Sequence, residues 1–326
     1  MQALNYTPKA LEALREYDRS CHPSLREGFA YIAGKLEQAQ VFVLPDHGQL
    51  LDRGKPRAEV PGLLLKPPFP VAALEYSARG PARDSGIYTA APCPKRIAIA
   101  WEWQDDLPAS TKRLFPMPDL GPGVVIASLP FYSDHERWMP IAAAAHIPYD
   151  NPFAAAAEPT PFHQQMMREG RVAKGSPAMV GTPIPILPAV LAALARSQGG
   201  PAGAFDVLMA DLMDEVNAFV DLAYALACSN VRTQQHPAPA ALNKARSAAG
   251  RLPLRDFHTL MVNGSDGASA LMGGTSSVRS HLRRGHIRRL RHLGPDRITW
   301  VNAAMVRGSA RGFADKSYDM RGSANG

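Results

Sequence analysis

The chain has 326 residues, of which 46% are hydrophobic and 20% charged, so it can bury a sizeable core and is not disordered as a whole. Its charge is uneven: residues 279–326 hold ten Arg, one Lys and three Asp, a net +8, so the preceding 278 residues sum to −1. Three cysteines without a close pair exclude a disulfide scaffold, and a charged, helical N-terminal segment predicts no signal peptide, so we expect a cytoplasmic protein without a membrane partner.

Two helices are predicted near the N-terminus, and each has a proline at its start. Thr7 and Pro8 fit the N-cap and first helical positions of one helix, and Pro23 begins the other, which runs to about Gln38. Short apolar runs divided by Pro and Gly follow, and their β-branched and aromatic content predicts strands. These strands of a mostly antiparallel sheet are Val41–Leu44, Leu63–Leu65, Val71–Tyr76, Arg96–Trp103, Val124–Tyr132 and Trp138–Ala145.

The second half of the chain is predicted to alternate irregular and helical segments. Ile147 to Pro188 is rich in proline, which predicts an irregular excursion over the surface, and Pro188 then begins a short helix to Ser197. Apolar residues spaced by three and four predict a long helix from Phe205 to about Cys228. A polar connection over 229–251 leads to a strand at Phe257–Val262.

The segment 264–277 is rich in Gly and Ser, which is typical of a flexible linker. The expected fold class is therefore α+β, with N-terminal helices, one long late helix and a basic C-terminal β-hairpin. The expected organisation is an α+β body over residues 1–263 for protein or peptide recognition, a linker over 264–277 and an Arg-rich module over 278–326.

The long helix carries four acidic residues that form a candidate protein-binding surface. Such a face could attract a basic peptide, although a solvated helix face is the commoner meaning of these charges. The residues are Asp211, Asp214, Glu215 and Asp221.

The basic block reads His281-Leu-Arg-Arg-Gly-His286 and continues to His292, followed by Gly-Pro-Asp and by Ile298-Thr-Trp-Val301. A turn between a basic run and a β-branched, aromatic run predicts a β-hairpin. Side chains alternate between the two faces of a strand, and both faces of the first run are basic. We therefore expect the hairpin to bury little against a core and to meet an anionic surface instead.

Phosphate is the anion that this composition favours. Arg offers planar, bidentate donors to phosphate, and Trp and imidazole rings can stack on unpaired bases. A solvated tail that is basic for solubility explains the composition equally well. The candidate RNA-binding or ribosome-binding residues are Arg279, His281, Arg283, Arg284, His286, Arg288, Arg289, Arg291 and Trp300.

The motif His281-x-Arg283-Arg284-Gly285-His286, followed by a basic run, a turn and a strand with central Trp300, resembles the C-terminal signature of an anti-CRISPR group. These are phage and plasmid proteins related to the second type V-A anti-CRISPR inhibitor. The resemblance covers about residues 280–306. Members commonly have Pro before the first His and Trp after the second, where this chain has Ser280 and Ile287.

The resemblance implies a function without conventional catalysis. Family members recognise the nascent N-terminal peptide of a CRISPR effector nuclease, and the mRNA under translation is lost, so the effector is made at a lower level. The implied partners are a CRISPR effector nuclease or its nascent peptide, together with RNA or the ribosome. The resemblance leaves open whether RNA loss is intrinsic or depends on the host.

Two other interpretations attach to the histidines His281, His286 and His292. Their spacing lacks cysteine and they lie amid positive charge, so we expect neither a metal site nor a cofactor. His286 and His292 fall on one strand face and could act as acid and base in RNA cleavage. A nucleic-acid-binding phage protein or ribonuclease that uses this block is therefore the alternative to the anti-CRISPR interpretation.

Overall fold

The structure is a computed structural model of the chain. It describes residues 4–52, 60, 62–78, 93–115, 117–149, 164, 167–168, 181–262, 279–283, 286–290, 294, 297–301, 304–306 and 310–313. For 279–283, 286, 304–306 and 310–313 the description covers the backbone. The predicted linker at 264–277 lies outside these residues.

Helices α1 (Tyr6–Ser20) and α2 (Pro23–Gln38) occur where they were predicted. The predicted N-cap at Thr7 is wrong, because α1 begins at Tyr6 and its N-cap residue Asn5 makes no side-chain capping bond. Instead, the buried carboxylate of Glu75 accepts the backbone N–H groups of Tyr6 (3.1 Å) and Thr7 (2.7 Å). A residue distant in the chain thus caps the helix, which its local sequence could not indicate.

Nine strands form one sheet, which confirms the α+β class. The sheet order is β7-β6-β4-β3-β2-β1-β9-β8, with β5 beside β4. Pairing is antiparallel except at β1, which is parallel to β2 and to β9. The strands are β1 (Gln40–Val43), β2 (Val71–Ser77), β3 (Lys95–Glu102), β4 (Gly123–Tyr132), β5 (Arg137–Trp138), β6 (Ala143–Pro148), β7 (Thr182–Pro185), β8 (Val231–His236) and β9 (Phe257–Val262).

Four expectations about elements were wrong. The predicted strand Trp138–Ala145 is two strands, β5 and β6, because residues 139–142 form no strand. Residues 63–65 form no strand, although Leu65 is buried. The chain from 147 to 188 is not wholly irregular, because its described ends belong to β6 and β7. The polar connection at 229–251 contains β8 and a short helix, α6 (Ala240–Ala248). The residues of α6 are too polar or too small to give an apolar pattern.

Helices cover both faces of the sheet. The short helix α4 (Pro188–Ser197) and the long helix α5 (Pro201–Leu226) match the predicted helices. A further short helix, α3, spans Ala109–Leu114. Adjacent residues of β2 point in opposite directions, since Glu75 bonds to α1 while the Tyr76 hydroxyl bonds to α5. Among the described residues, no helix is long and apolar enough to cross a membrane.

The basic C-terminal block contributes several short strands. β11 (His286–Arg289) and β12 (Ile298–Val301) pair antiparallel, in agreement with the predicted hairpin. The run from His281 to His292 is not one strand, because β10 (Arg279–Arg283) ends before β11 begins. β10 pairs instead with β13 (Ala304–Val306) and β14 (Ala310–Phe313).

Candidate functional site

The β11–β12 hairpin packs on the body, contrary to the expectation that it would bury little. Ile298 and Trp300 are only 1% and 3% exposed, and both belong to the core cluster. The pairing places Ile287 opposite Trp300 and Arg289 opposite Ile298, so these four side chains share the face toward the body. The prediction failed because it counted the charges of β11 and overlooked the apolar face that β12 supplies.

Two polar residues fasten β12 to the turn before β8. The Asn230 side chain accepts the backbone N–H of Trp300 (2.7 Å) and donates to the Trp300 carbonyl (2.8 Å). The backbone N–H of Ser229 donates to the carbonyl of Ile298 (3.1 Å), and its hydroxyl donates to the same oxygen (3.2 Å). These bonds imitate a short strand pairing, so the hairpin has a fixed place on the sheet.

An apolar pocket lies where the hairpin, the sheet and α5 meet. Its cavity volume is about 60 Å³, smaller than that of a typical pocket for a drug-sized ligand, and it opens to solvent. The lining residues come from five separate segments of the chain, so no local pattern could have predicted the pocket. They are Val43, Leu44, Pro45, Leu50, Ala225, Val231, Thr259, Leu260, Val262 and Trp300.

Trp300 also brings an unsatisfied donor to this region. Its indole N–H is buried and has no hydrogen-bond partner among the described residues. A buried donor without a partner costs about 1–3 kcal/mol. The predicted role of Trp300 as a platform for bases is not compatible with its burial in the core cluster, so its ring serves the pocket wall and not an RNA surface.

The predicted RNA-binding arginines divide by strand face. Arg288 of β11 is exposed and lies on the face away from the body, whereas Arg289 is half-buried on the face toward the body. Arg279, His281 and Arg283 lie in β10, and the backbone of His286 begins β11. Arg284, Arg291 and His292 lie outside the described residues.

The four acidic residues of α5 do not form one exposed face. Glu215 and Asp221 are fully buried, while Asp211 and Asp214 are half-buried. Glu215 follows Leu208 and Leu212 and precedes Phe219 at steps of three and four, so its place on the buried stripe was visible in the sequence. The acidic peptide-binding surface was expected on the assumption that all four carboxylates are exposed to solvent.

The buried carboxylate of Glu215 is paired with Arg96 of β3. Arg96 Nε lies 2.5 Å from Glu215 Oε1, and Arg96 Nη2 lies 3.1 Å from Glu215 Oε2, so the ion pair is bidentate. The Tyr76 hydroxyl donates to Glu215 Oε1 at 3.0 Å. Burial raises the pKa of Glu215, and the Arg96 guanidinium opposes that rise. This pair joins α5 to the sheet and is a structural feature of the interior.

Asp221 supports the pocket indirectly. Its carboxylate accepts the backbone N–H of Leu51 at 3.4 Å, and the neighbouring residue Leu50 lines the pocket. No group of three His, Cys, Asp or Glu side chains that could hold a metal ion occurs in the part of the chain that the structure describes.

Comparisons with known proteins gave no relative: no family model, no curated protein and no solved structure matches the chain. The candidate site is therefore inferred from the geometry of the pocket and the hairpin alone.

Proposed function

We propose that the protein is a non-enzymatic inhibitor of the anti-CRISPR kind, acting in the cytoplasm of a host cell. It recognises the nascent N-terminal peptide of a CRISPR effector nuclease and lowers effector production by promoting loss of the mRNA. The observation that carries this proposal is the position of Trp300. Its strand belongs to the Arg-rich hairpin, and its ring closes the apolar pocket of the body.

The pocket has the chemistry of a site for an apolar peptide residue. Its lining is aliphatic and aromatic except for Thr259, whose hydroxyl is already bonded to His236. Burying a side chain such as Leu, Val or Phe there contributes about 1.5–3 kcal/mol.

The opposite face of the hairpin supplies positive charge. Arg288 is exposed there, and Arg297 is exposed just before β12. At a translating ribosome the nascent peptide and RNA are close together. A peptide bound beside Trp300 would therefore hold Arg288 near phosphate groups, which joins recognition of the peptide to contact with RNA.

Co-expression with tagged CRISPR effector nucleases tests the proposal. The wild-type protein should lower both effector protein and effector mRNA, and Leu260→Lys, which puts a charge into the pocket wall, should restore both. Met261→Lys is the matched control, because Met261 is the next residue of β9, is exposed and points to the other face. Circular dichroism establishes that both variants fold.

Unchanged effector protein and mRNA in the presence of wild-type protein would overturn the proposal. If the purified protein also cuts RNA without other factors, the ribonuclease interpretation takes its place.

A further inference from the structure

The two edges of the nine-stranded sheet are built differently. At one edge, β7 has the sequence Thr-Pro-Ile-Pro, and Pro183 and Pro185 have no N–H to offer to another strand. At the other edge, β8 contains no proline and pairs with β9 over all six residues without a register shift. One edge is therefore protected against a further strand and the other is not.

The outer edge of β8 is accessible along most of its length. Arg232, Thr233, Gln234 and Gln235 are exposed, and no strand of the described residues pairs with this edge. Alternate residues of an edge strand direct their N–H and C=O groups outward, where they can pair with another chain. Proteins usually protect such an edge with charged side chains, lysine above all, or with proline or a bulge. The β8 strand has no lysine, proline or bulge, and Arg232 is its one arginine.

We infer that this edge pairs with β8 of a second copy of the chain, antiparallel, to form a homodimer with a continuous sheet. Alternate residues of β8 direct their backbone N–H and C=O groups outward, and these are the same residues in both copies. An antiparallel pair that joins them must therefore have one residue of β8 opposite the same residue of the second copy at its centre. Centring on Thr233 places Thr233 of the two copies opposite each other. Arg232 then lies opposite Gln234 of the second copy, and Val231 opposite its Gln235.

This register suits the side chains of β8. The strand has no acidic residue, and its single Arg meets a neutral amide, so no like charges are opposed. A Thr pair directly across two strands is among the favourable cross-strand pairs. Centring on Gln234 would instead place Arg232 opposite His236, which repels the arginine when the imidazole is protonated. The bonds of Asn230 to Trp300 limit the new ladder to residues 231–235.

Sedimentation velocity over a dilution series tests the inference on the purified full chain. We expect a reversible monomer–dimer equilibrium. Thr233→Lys places two lysines opposite each other and should weaken dimerisation several-fold, with a smaller effect at high salt. Gln234→Lys places each new lysine opposite Arg232 of the other copy and should also weaken dimerisation, whereas Thr182→Lys on β7 should leave it unchanged. Unchanged far-UV circular dichroism and urea midpoints establish that the three variants fold.

A protein that is monomeric at every concentration overturns the inference, and so does a dimer that neither lysine in β8 weakens. If Gln234→Lys weakens dimerisation and Thr233→Lys does not, the register centred on Thr233 is wrong, because a register centred on Gln234 places the new lysine at position 233 opposite the neutral Gln235. Monomeric protein that still lowers effector mRNA would leave the proposed function intact, so the two can fail separately.

Discussion

Asn230 and Trp300 are joined by two hydrogen bonds, one from the Trp300 N–H to Asn230 Oδ1 at 2.7 Å and one from Asn230 Nδ2 to the Trp300 carbonyl at 2.8 Å. The two residues are 70 positions apart in the chain. Through this pair the basic hairpin becomes part of the body, and the pocket gains the wall that Trp300 forms. This amide therefore helps to fix the position of the basic hairpin relative to the pocket.

Asn230→Ala should loosen the hairpin and open the pocket. Losing both bonds should lower the free energy of unfolding by about 1–3 kcal/mol and increase hydrogen exchange in residues 298–301. Asn243→Ala is the matched control, because Asn243 makes the same two bonds to the backbone of Leu254, at 2.7 and 3.0 Å. It should lower stability to a similar extent but leave exchange in β12 and effector loss unchanged. Equal effects of both variants on β12 would contradict the proposed coupling.

Arg288→Ala should weaken binding to single-stranded RNA through the loss of one phosphate contact. The slope of log K against log salt should become shallower by about 0.7, measured by fluorescence anisotropy of a labelled oligonucleotide. Changing Arg283, Arg284 and Arg288 together should flatten it further. Arg26→Ala, an exposed arginine on α2, should change neither slope nor affinity. An RNA affinity that none of the hairpin variants alters would place the RNA surface elsewhere.

Glu215→Gln should destabilise the protein strongly, because it leaves the Arg96 guanidinium without its buried counter-charge. The side chains of Arg96 and Glu215 are 14% and 0% exposed, and breaking a buried pair costs about 3–5 kcal/mol. Glu37→Gln removes the exposed partner of Arg15 and should cost less than about 1 kcal/mol. Urea unfolding of the two variants checks this contrast, and similar costs would mean that Glu215 is not held as described.

The stability contributed by Glu75 should depend on pH in a specific direction. Burial raises the pKa of this carboxyl in the folded protein, against the lowering effect of the Thr7 and Tyr6 N–H groups. A group whose pKa is higher when folded stabilises fully below its unfolded pKa, and this contribution is lost as pH rises through the folded value. Wild-type stability relative to Glu75→Gln should therefore fall from acidic to neutral pH, as measured by urea unfolding. A difference that grows with pH would contradict the stated direction.

The sequence predicted the elements with a strong local pattern. The apolar stripe of α2 and the spacing in α5 gave helices at the right places, and the turn before Ile298 gave the hairpin. It could not predict β8, because an exposed edge strand has no apolar face. It also could not predict the pocket, since Leu44, Ala225 and Trp300 meet only when the sheet, α5 and the hairpin pack together.

Recoding the start of an effector gene separates the nascent peptide from the RNA that encodes it, and so shows which of the two the protein recognises. One reporter carries the effector's first codons recoded synonymously, so that the RNA changes and the peptide does not. Another carries compensating frameshifts, so that the peptide changes and the RNA is nearly identical. The protein should lower the mRNA of the first reporter and spare the second, and Leu260→Lys should spare both. Loss of the frameshifted mRNA, with the synonymous one spared, would contradict recognition of the nascent peptide.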